Sequence, residues 1–116
     1  MELKAVQALD LWRGAIVESV RREAPDLSAR QMALLLTVYL LSQPHTVRGL
    51  AIALNISKPA VTRALDRLSE LGLIRRKVDE ADRRSVLIQR TVKGSVFLRE
   101  FGDIIVAAAA ITESAG

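Results

Sequence analysis

The chain contains no cysteine. Disulfides, thiol catalysis and cysteine-ligated metals are therefore excluded, and a reducing compartment is the natural fit. Aromatic residues make up 3% of the 116 positions, so aliphatic side chains must build the core. There is a single histidine, His45, placed between Pro44 and Thr46 at a helix junction, which suits a structural or surface role. No His/Asp/Glu grouping has metal-ligand spacing, and no glycine-rich loop could cradle a phosphate. Asp79, Glu80 and Asp82 lie close together but lack the longer alternating pattern and the glycine of a calcium loop. Without a grouped acid, base or nucleophile, the expectation is a protein that is not an enzyme and needs no cofactor. The apolar run at 32–41 is too short to cross a bilayer, and Glu2, Lys4 and Asp10 interrupt any signal-like start. The expectation is a cytoplasmic protein with no membrane partner.

What is present is positive charge in one place. Lysine and arginine outnumber aspartate and glutamate by 17 to 13. Residues 1–47 carry five basic and five acidic groups, and residues 91–116 carry two and three. Residues 48–90 carry ten basic and five acidic groups, so the whole excess sits in the middle. A basic middle between near-neutral ends predicts a face that meets a polyanion.

The length sets one domain with a modest core, spanning 1–116. A first helix is expected over 3–23, where Leu9, Trp12, Ile16 and Val20 recur on one side, with Pro25 closing it. Ser28 and Gln31 match a capping box, opening a nearly all-apolar second helix that Pro44 stops. Thr46 caps a short third helix over 47–54, and Asn55 can adopt the left-handed conformation that ends it. Ser57 then caps a fourth helix over 58–71, with Pro59 in its first turn. Two helices joined so closely cross steeply, giving a helix-turn-helix over 47–71. In the fourth helix Val61, Ala64, Leu65 and Leu68 share an inward face, while Lys58, Thr62, Arg63, Asp66, Arg67 and Glu70 lie off it. Gly72 marks the end, with Leu73 available for a Schellman closure. "LIRRKV" and "SVLIQR" read as strands flanking the polar loop "DEADRR", a wing over 73–90. Thr91 caps a last helix over 92–112, with an apolar face of Val92, Val96, Phe97, Phe101, Ile104, Ile105 and Ala108. The fold class is mainly α with a small β wing.

An α-helix fits the major groove of B-form DNA. Ser57, Lys58 and the free amides beside Pro59 suit a phosphate, while Thr62 and Arg63 project further in. Arginine can bond two guanine acceptors, and threonine can pack its methyl on thymine. Arg67 suits a base edge, the backbone or a salt bridge with Asp66. Arg83 and Arg84 suit the narrow, negative minor groove, with Asp82 orienting an arginine or the loop. Arg48, Arg75, Arg76, Lys77 and Arg90 are further candidates for phosphate contacts. Leu3, Val6, Leu9, Phe101, Ile104, Ile105 and Ile111 exceed what one small core needs to cover, so they are candidates for an interface.

The stretch "VRGLAIALNISKPAVTRALDRLSELGLIRRKVDEADRRSVLIQRTVKG", residues 47–94, resembles the MarR family of bacterial transcriptional regulators. Its matching features are Leu50-Ala51, "ISKPAVTRALDRL", "LGLIRR", the wing "DEADRRS", Thr91 and Gly94, and "LSARQMALLLTVYL" upstream looks like the family's second helix. The resemblance implies a winged helix-turn-helix flanked by dimerising helices, at 3–23 and 92–112. It also implies a homodimer on a palindromic operator in double-stranded DNA, usually as a repressor. By the same likeness Ser57, Lys58, Pro59, Thr62, Arg63 and Arg67 fall on the recognition helix, and Asp82, Arg83 and Arg84 on the wing tip. Arg84 aligns better than Arg83 with the family's Asp-x-Arg arginine, which enters the minor groove. Three departures stand out. The chain ends soon after its fifth helix. Arg90 occupies a position that is usually leucine. The scarcity of aromatics argues against the ligand pocket of other members, leaving a small-molecule effector open and a regulatory protein partner as an alternative.

Overall fold

Helix and strand boundaries follow local chemistry closely. The computed structural model describes residues 2–115. The elements are α1 (Ala5–Arg21), α2 (Ala29–Leu40), α3 (Val47–Leu54), α4 (Lys58–Glu70), β1 (Ile74–Val78), β2 (Val86–Arg90) and α5 (Val92–Ala115). They form two units, one of Leu27–Phe97 and one of the segments up to Asp26 and from Leu98 onward, the division falling inside α5.

In the Leu27–Phe97 unit, α2 begins with the full capping box. The Gln31 amide donates to Ser28 Oγ at 3.2 Å, and the Ser28 amide donates to Gln31 Oε1 at 2.8 Å. The helix ends at Leu40, ahead of Pro44. It buries Leu34, Leu35 and Val38, but Leu40 and Leu41 are exposed, so it is not covered all round. α3 starts where Thr46 Oγ1 accepts the Gly49 amide at 3.0 Å. It stops at Asn55, whose φ of 53° is left-handed. α4 starts where Ser57 Oγ accepts the Ala60 amide at 3.2 Å. Each such cap contributes about 1 kcal/mol.

α4 closes with a Schellman motif. The Gly72 amide donates to the Ser69 carbonyl and the Leu73 amide to the Leu68 carbonyl, both at 2.9 Å. Gly72 has a φ of +74°, which a side chain would make strained. The inward face of α4, Val61, Leu65 and Leu68, is wholly buried, and Ala60 and Ala64 nearly so. Burial of each large aliphatic chain stabilises by about 1.5–3 kcal/mol.

The two strands pair antiparallel from Ile74↔Arg90 to Val78↔Val86. Ile88 faces inward, and its amide donates to the His45 carbonyl at 2.9 Å. That bond and the Thr46↔Leu87 bridge tie the hairpin base to the start of α3. His45 is itself buried, with Nε2 at 3.2 Å from the Leu41 carbonyl, a structural position.

One junction joins α2, the hairpin and the first turn of α5. The Tyr39 hydroxyl donates to the Leu73 carbonyl at 2.6 Å and accepts the Thr91 amide at 2.9 Å. Thr91 Oγ1 donates to the Gly72 carbonyl at 2.7 Å and accepts the Gly94 amide at 2.9 Å. A Cβ on Gly94 would collide with the Tyr39 hydroxyl and the Leu73 carbonyl, so glycine is required by close approach.

In the other unit, α1 packs on the later part of α5. Ala15, Ile104 and Ala108 are buried together, with Leu11 and Ile105 against them. Trp12 and Phe101 meet edge to face, their ring centroids 6.2 Å apart. The expected side of α1 is not the covered one: Leu9, Trp12, Ile16 and Val20 are all exposed, although Trp12 meets Phe101, and the apolar residues that pack inward are Leu11 and Ala15. Phe101 and Ile104, expected as interface residues, instead lie in this unit's own core. Ile105 packs partly against that core, whereas Leu3, Val6, Leu9 and Ile111 remain exposed. Val92, assigned to the apolar face of the last helix, is exposed, because the first turn of α5 is held by its cap rather than by that side chain. Among the described residues no helix is long and apolar enough to cross a membrane.

Candidate nucleic-acid interface

With its apolar face packed inward, α4 turns a polar face outward. Ser57, Lys58, Pro59, Thr62, Arg63, Asp66, Arg67 and Glu70 are all exposed. Among the described residues Lys58 and Arg63 have no acidic partner within 4.0 Å. Arg67 Nη1 lies 4.0 Å from Glu70 Oε2, a loose exposed pair. Such a face offers an arginine and a threonine, one helical turn beyond the cap, for contacts outside the chain.

Asp66 turns toward the wing rather than toward Arg67. Arg76 Nη1 lies 2.6 Å from Asp66 Oδ1, which bolts β1 to α4. Arg76, expected as a phosphate contact, therefore already has a counter-ion. Arg75 donates from Nε to Gln89 Oε1 at 3.3 Å, across the hairpin. Lys77 is exposed and, among the described residues, has no acidic partner.

The wing loop is organised by its aspartates. Asp79 Oδ1 accepts the Ala81 amide at 2.9 Å, and Asp82 Oδ1 accepts the Arg84 amide at 3.1 Å. These are Asx turns, the means by which short acidic side chains shape a loop without glycine. Asp82 also receives Arg84 Nε at 3.4 Å and Ser85 Oγ at 3.4 Å. Arg83 points to Glu80, with Nη2 3.6 Å from Oε2, and both are largely exposed.

Arg90 departs most from its expected role. Its Nε donates to the Val38 carbonyl at 2.9 Å and its Nη2 to the Leu41 carbonyl at 3.1 Å. Its guanidinium also sits 5.9 Å from the centre of the Tyr39 ring. A cation bonded to carbonyls at the end of α2 is a favourable helix terminus, and it gives Arg90 an intramolecular role besides the expected phosphate contact. The arginine at this position thus joins the hairpin to α2.

Arg48, Lys58 and Arg84 come together although 36 positions separate the first from the last. They line one cleft of about 320 Å³ with Thr46 and Ser85, and none of its lining residues is acidic. The sequence offered no signal for this convergence, which depends on how the wing folds back. Tyr39 was also missed. Its signal was present, because a tyrosine within an apolar helix must find a partner for its hydroxyl.

α3 and α4, joined by the short turn through the left-handed Asn55 and followed by a two-stranded hairpin, define a winged helix-turn-helix protein. Residues 27–86 match the pattern of the MarR family, and the chain belongs to that family. It is 41% identical over 70 residues to the HTH-type transcriptional regulator PecS of Dickeya dadantii (strain 3937), a match covering 59% of this chain. The match spans 42% of the length of PecS, less than half of that relative. Among solved structures, the S. aureus MepR–DNA complex superposes with a TM-score of 0.73 at 25% identity, covering 86% of this chain and 79% of that one. Transcriptional regulator Tm0710 from Thermotoga maritima gives a TM-score of 0.75 at 23% identity, covering 94% and 75%.

Proposed function

We propose that the protein is a sequence-specific regulator of transcription that binds double-stranded DNA as a homodimer on a palindromic operator. The observation that carries this reading is the outer face of α4. Thr62 and Arg63 are exposed, and among the described residues Arg63 has no ion pair, on a helix whose opposite face is anchored in the core. An exposed helix of this kind lies in a major groove and reads base edges with its first turns. The MepR–DNA complex supports the reading through its shared fold. Phosphate contacts supply much of the affinity and make it fall with salt. Such a protein works in the cytoplasm, beside the bacterial genome.

The homodimer rests on the apolar side chains that α1 and α5 leave in solvent. Val6, Leu9, Val20, Val106 and Ile111 are each at least two-thirds exposed. A symmetric pair would cover them, and two-fold symmetry in the protein is mirrored in the operator.

The test is selection of bound duplexes from a random library by purified protein at about 150 mM salt, a condition that suppresses purely electrostatic binding. Enrichment of a palindrome supports both parts of the reading. Enrichment of one half-site keeps DNA recognition and removes the dimer geometry. No enrichment, together with a stable complex with another protein, would transfer the fold to a protein-docking role.

A further inference from the structure

Apolar surface is not confined to α1 and the later part of α5. Leu40 and Leu41 at the end of α2, and Val92 at the start of α5, are each more than half exposed. They belong to the Leu27–Phe97 unit, whereas the side chains assigned to the dimer belong to the other. We propose that the corner formed by Leu40, Leu41, Arg90, Val92 and Lys93 docks an acidic, amphipathic segment of another protein.

The proposal goes beyond the DNA-binding reading and does not require it. Three observations carry it. First, the two halves of the corner are tied together although the sequence separates them. Arg90 donates from Nε to the Val38 carbonyl at 2.9 Å and from Nη2 to the Leu41 carbonyl at 3.1 Å. The Thr91 amide donates to the Tyr39 hydroxyl at 2.9 Å. The exposed leucines and valine therefore stand on a fixed frame, and a partner binds without the entropy cost of ordering it. Second, charge at the corner has one sign. No acidic residue occurs from Leu27 to Leu65 or from Arg83 to Arg99. Arg90 and Lys93 are exposed, and among the described residues neither has an acidic partner within 4.0 Å. The bonds to α2 engage Nε and Nη2 of Arg90, so Nη1 remains for a carboxylate. Third, the corner lies at the end of the hairpin away from the wing loop, because Arg90 pairs with Ile74 at the opposite end of the ladder from Val78 and Val86. It is thus separate from the α4 face and the wing loop that the DNA reading uses. Leucine and valine gain nothing from phosphate. Apolar side chains flanked by carboxylates match both the apolar and the cationic parts of this surface.

The experiment selects peptides from a random display library on the full wild-type chain at about 150 mM salt. Kd of the enriched peptides is then measured against Leu40→Ser, Val92→Ser, Lys93→Glu and Arg63→Ala. These changes are at exposed positions, so the fold should survive, and circular dichroism checks this. Enriched peptides should combine leucine or aromatic residues with aspartate or glutamate. Leu40→Ser, Val92→Ser and Lys93→Glu should each weaken them, with a loss of about tenfold or more at the centre of the contact. Arg63→Ala, on α4, should leave their affinity unchanged. A peptide with lysine in place of each acid should bind Lys93→Glu better than wild type.

Enrichment of basic or uncharged peptides, or no enrichment, overturns the proposal. Acidic peptides lost on Arg63→Ala but kept on Leu40→Ser overturn it too, because they imitate DNA on α4. Ultracentrifugation and titration of the selected operator test two other occupants. If Leu40→Ser converts a dimer to monomer, a second copy of the chain covers the corner. If Leu40→Ser weakens operator binding, the duplex covers it. Either result replaces the acidic segment and overturns the proposal. The two readings fail separately: a wild type that binds no duplex defeats the DNA-binding one, and the peptide results decide this one.

Discussion

Arg76 Nη1 lies 2.6 Å from Asp66 Oδ1, linking the first strand of the wing to the middle of α4. Both side chains remain partly in solvent, at 34% and 51% exposure, so the pair contributes no more than about 1 kcal/mol. Its larger consequence is to remove Arg76 from the set of free cations. Arg76→Ala should lower stability in urea by no more than about 1 kcal/mol and leave the salt slope of DNA binding unchanged. A slope reduced by about one unit would mean that the arginine exchanges its aspartate for a phosphate.

Arg63 stands at the opposite extreme, exposed and without an acidic partner among the described residues. Arg63→Ala should cost about 1–3 kcal/mol on the selected operator and much less on scrambled DNA, as expected for a bidentate base contact. Gel-shift or anisotropy titrations on both duplexes check this. Equal losses on the two would reassign Arg63 to the backbone.

Arg90 should behave as a structural residue. Arg90→Leu restores the apolar residue of the family pattern but removes the donors to the Val38 and Leu41 carbonyls. Each lost hydrogen bond is worth roughly 0.5–1.5 kcal/mol, partly offset by the apolar burial that leucine adds. Chemical denaturation should register a loss of about 1 kcal/mol while the DNA salt slope stays constant.

Tyr39 and Gly94 meet at the junction of α2, the hairpin and α5, and they should respond differently to small changes. Tyr39→Phe deletes one hydroxyl and leaves the Leu73 carbonyl and the Thr91 amide without that partner, costing about 1–3 kcal/mol. Gly94→Ala adds one methyl where the Tyr39 hydroxyl and the Leu73 carbonyl already stand, an overpacking cost of about 1–3 kcal/mol. Gly94→Ala in the Tyr39→Phe background should cost less than in wild type, because one of the two colliding oxygens is gone while the Leu73 carbonyl remains. Thermal unfolding of the four proteins gives this coupling, and strictly additive losses would contradict the contact.

On the exposed α1 face, Leu9→Glu should shift a homodimer toward monomer and leave the monomer folded, because Leu9 is 69% exposed in the single chain. Analytical ultracentrifugation reads the outcome. The same substitution at Phe101 should instead unfold the unit, since that ring is buried against Trp12.

Caps, turns and the α4 face are determined by short stretches of sequence. Ser28 with Gln31, Thr46, Ser57 and Gly72 act on backbone groups within three or four residues, so spacing alone announces them. The burial of Val61, Ala64, Leu65 and Leu68 follows from helical periodicity, and the exposure of Thr62 and Arg63 follows as its complement. Long-range pairing obeys no such rule. Arg75, Arg76 and Lys77 are alike in sequence, yet only the fold brings Asp66 to Arg76. Arg90 resembled a surface cation until the end of α2 came within reach of it, 49 positions away. Phe101 and Ile111 both belong to an apolar pattern, but packing against α1 buries the first and leaves the second in water. A side chain's partner depends on which distant backbone and charge arrive beside it, and that is decided only when helices and hairpin close on one another.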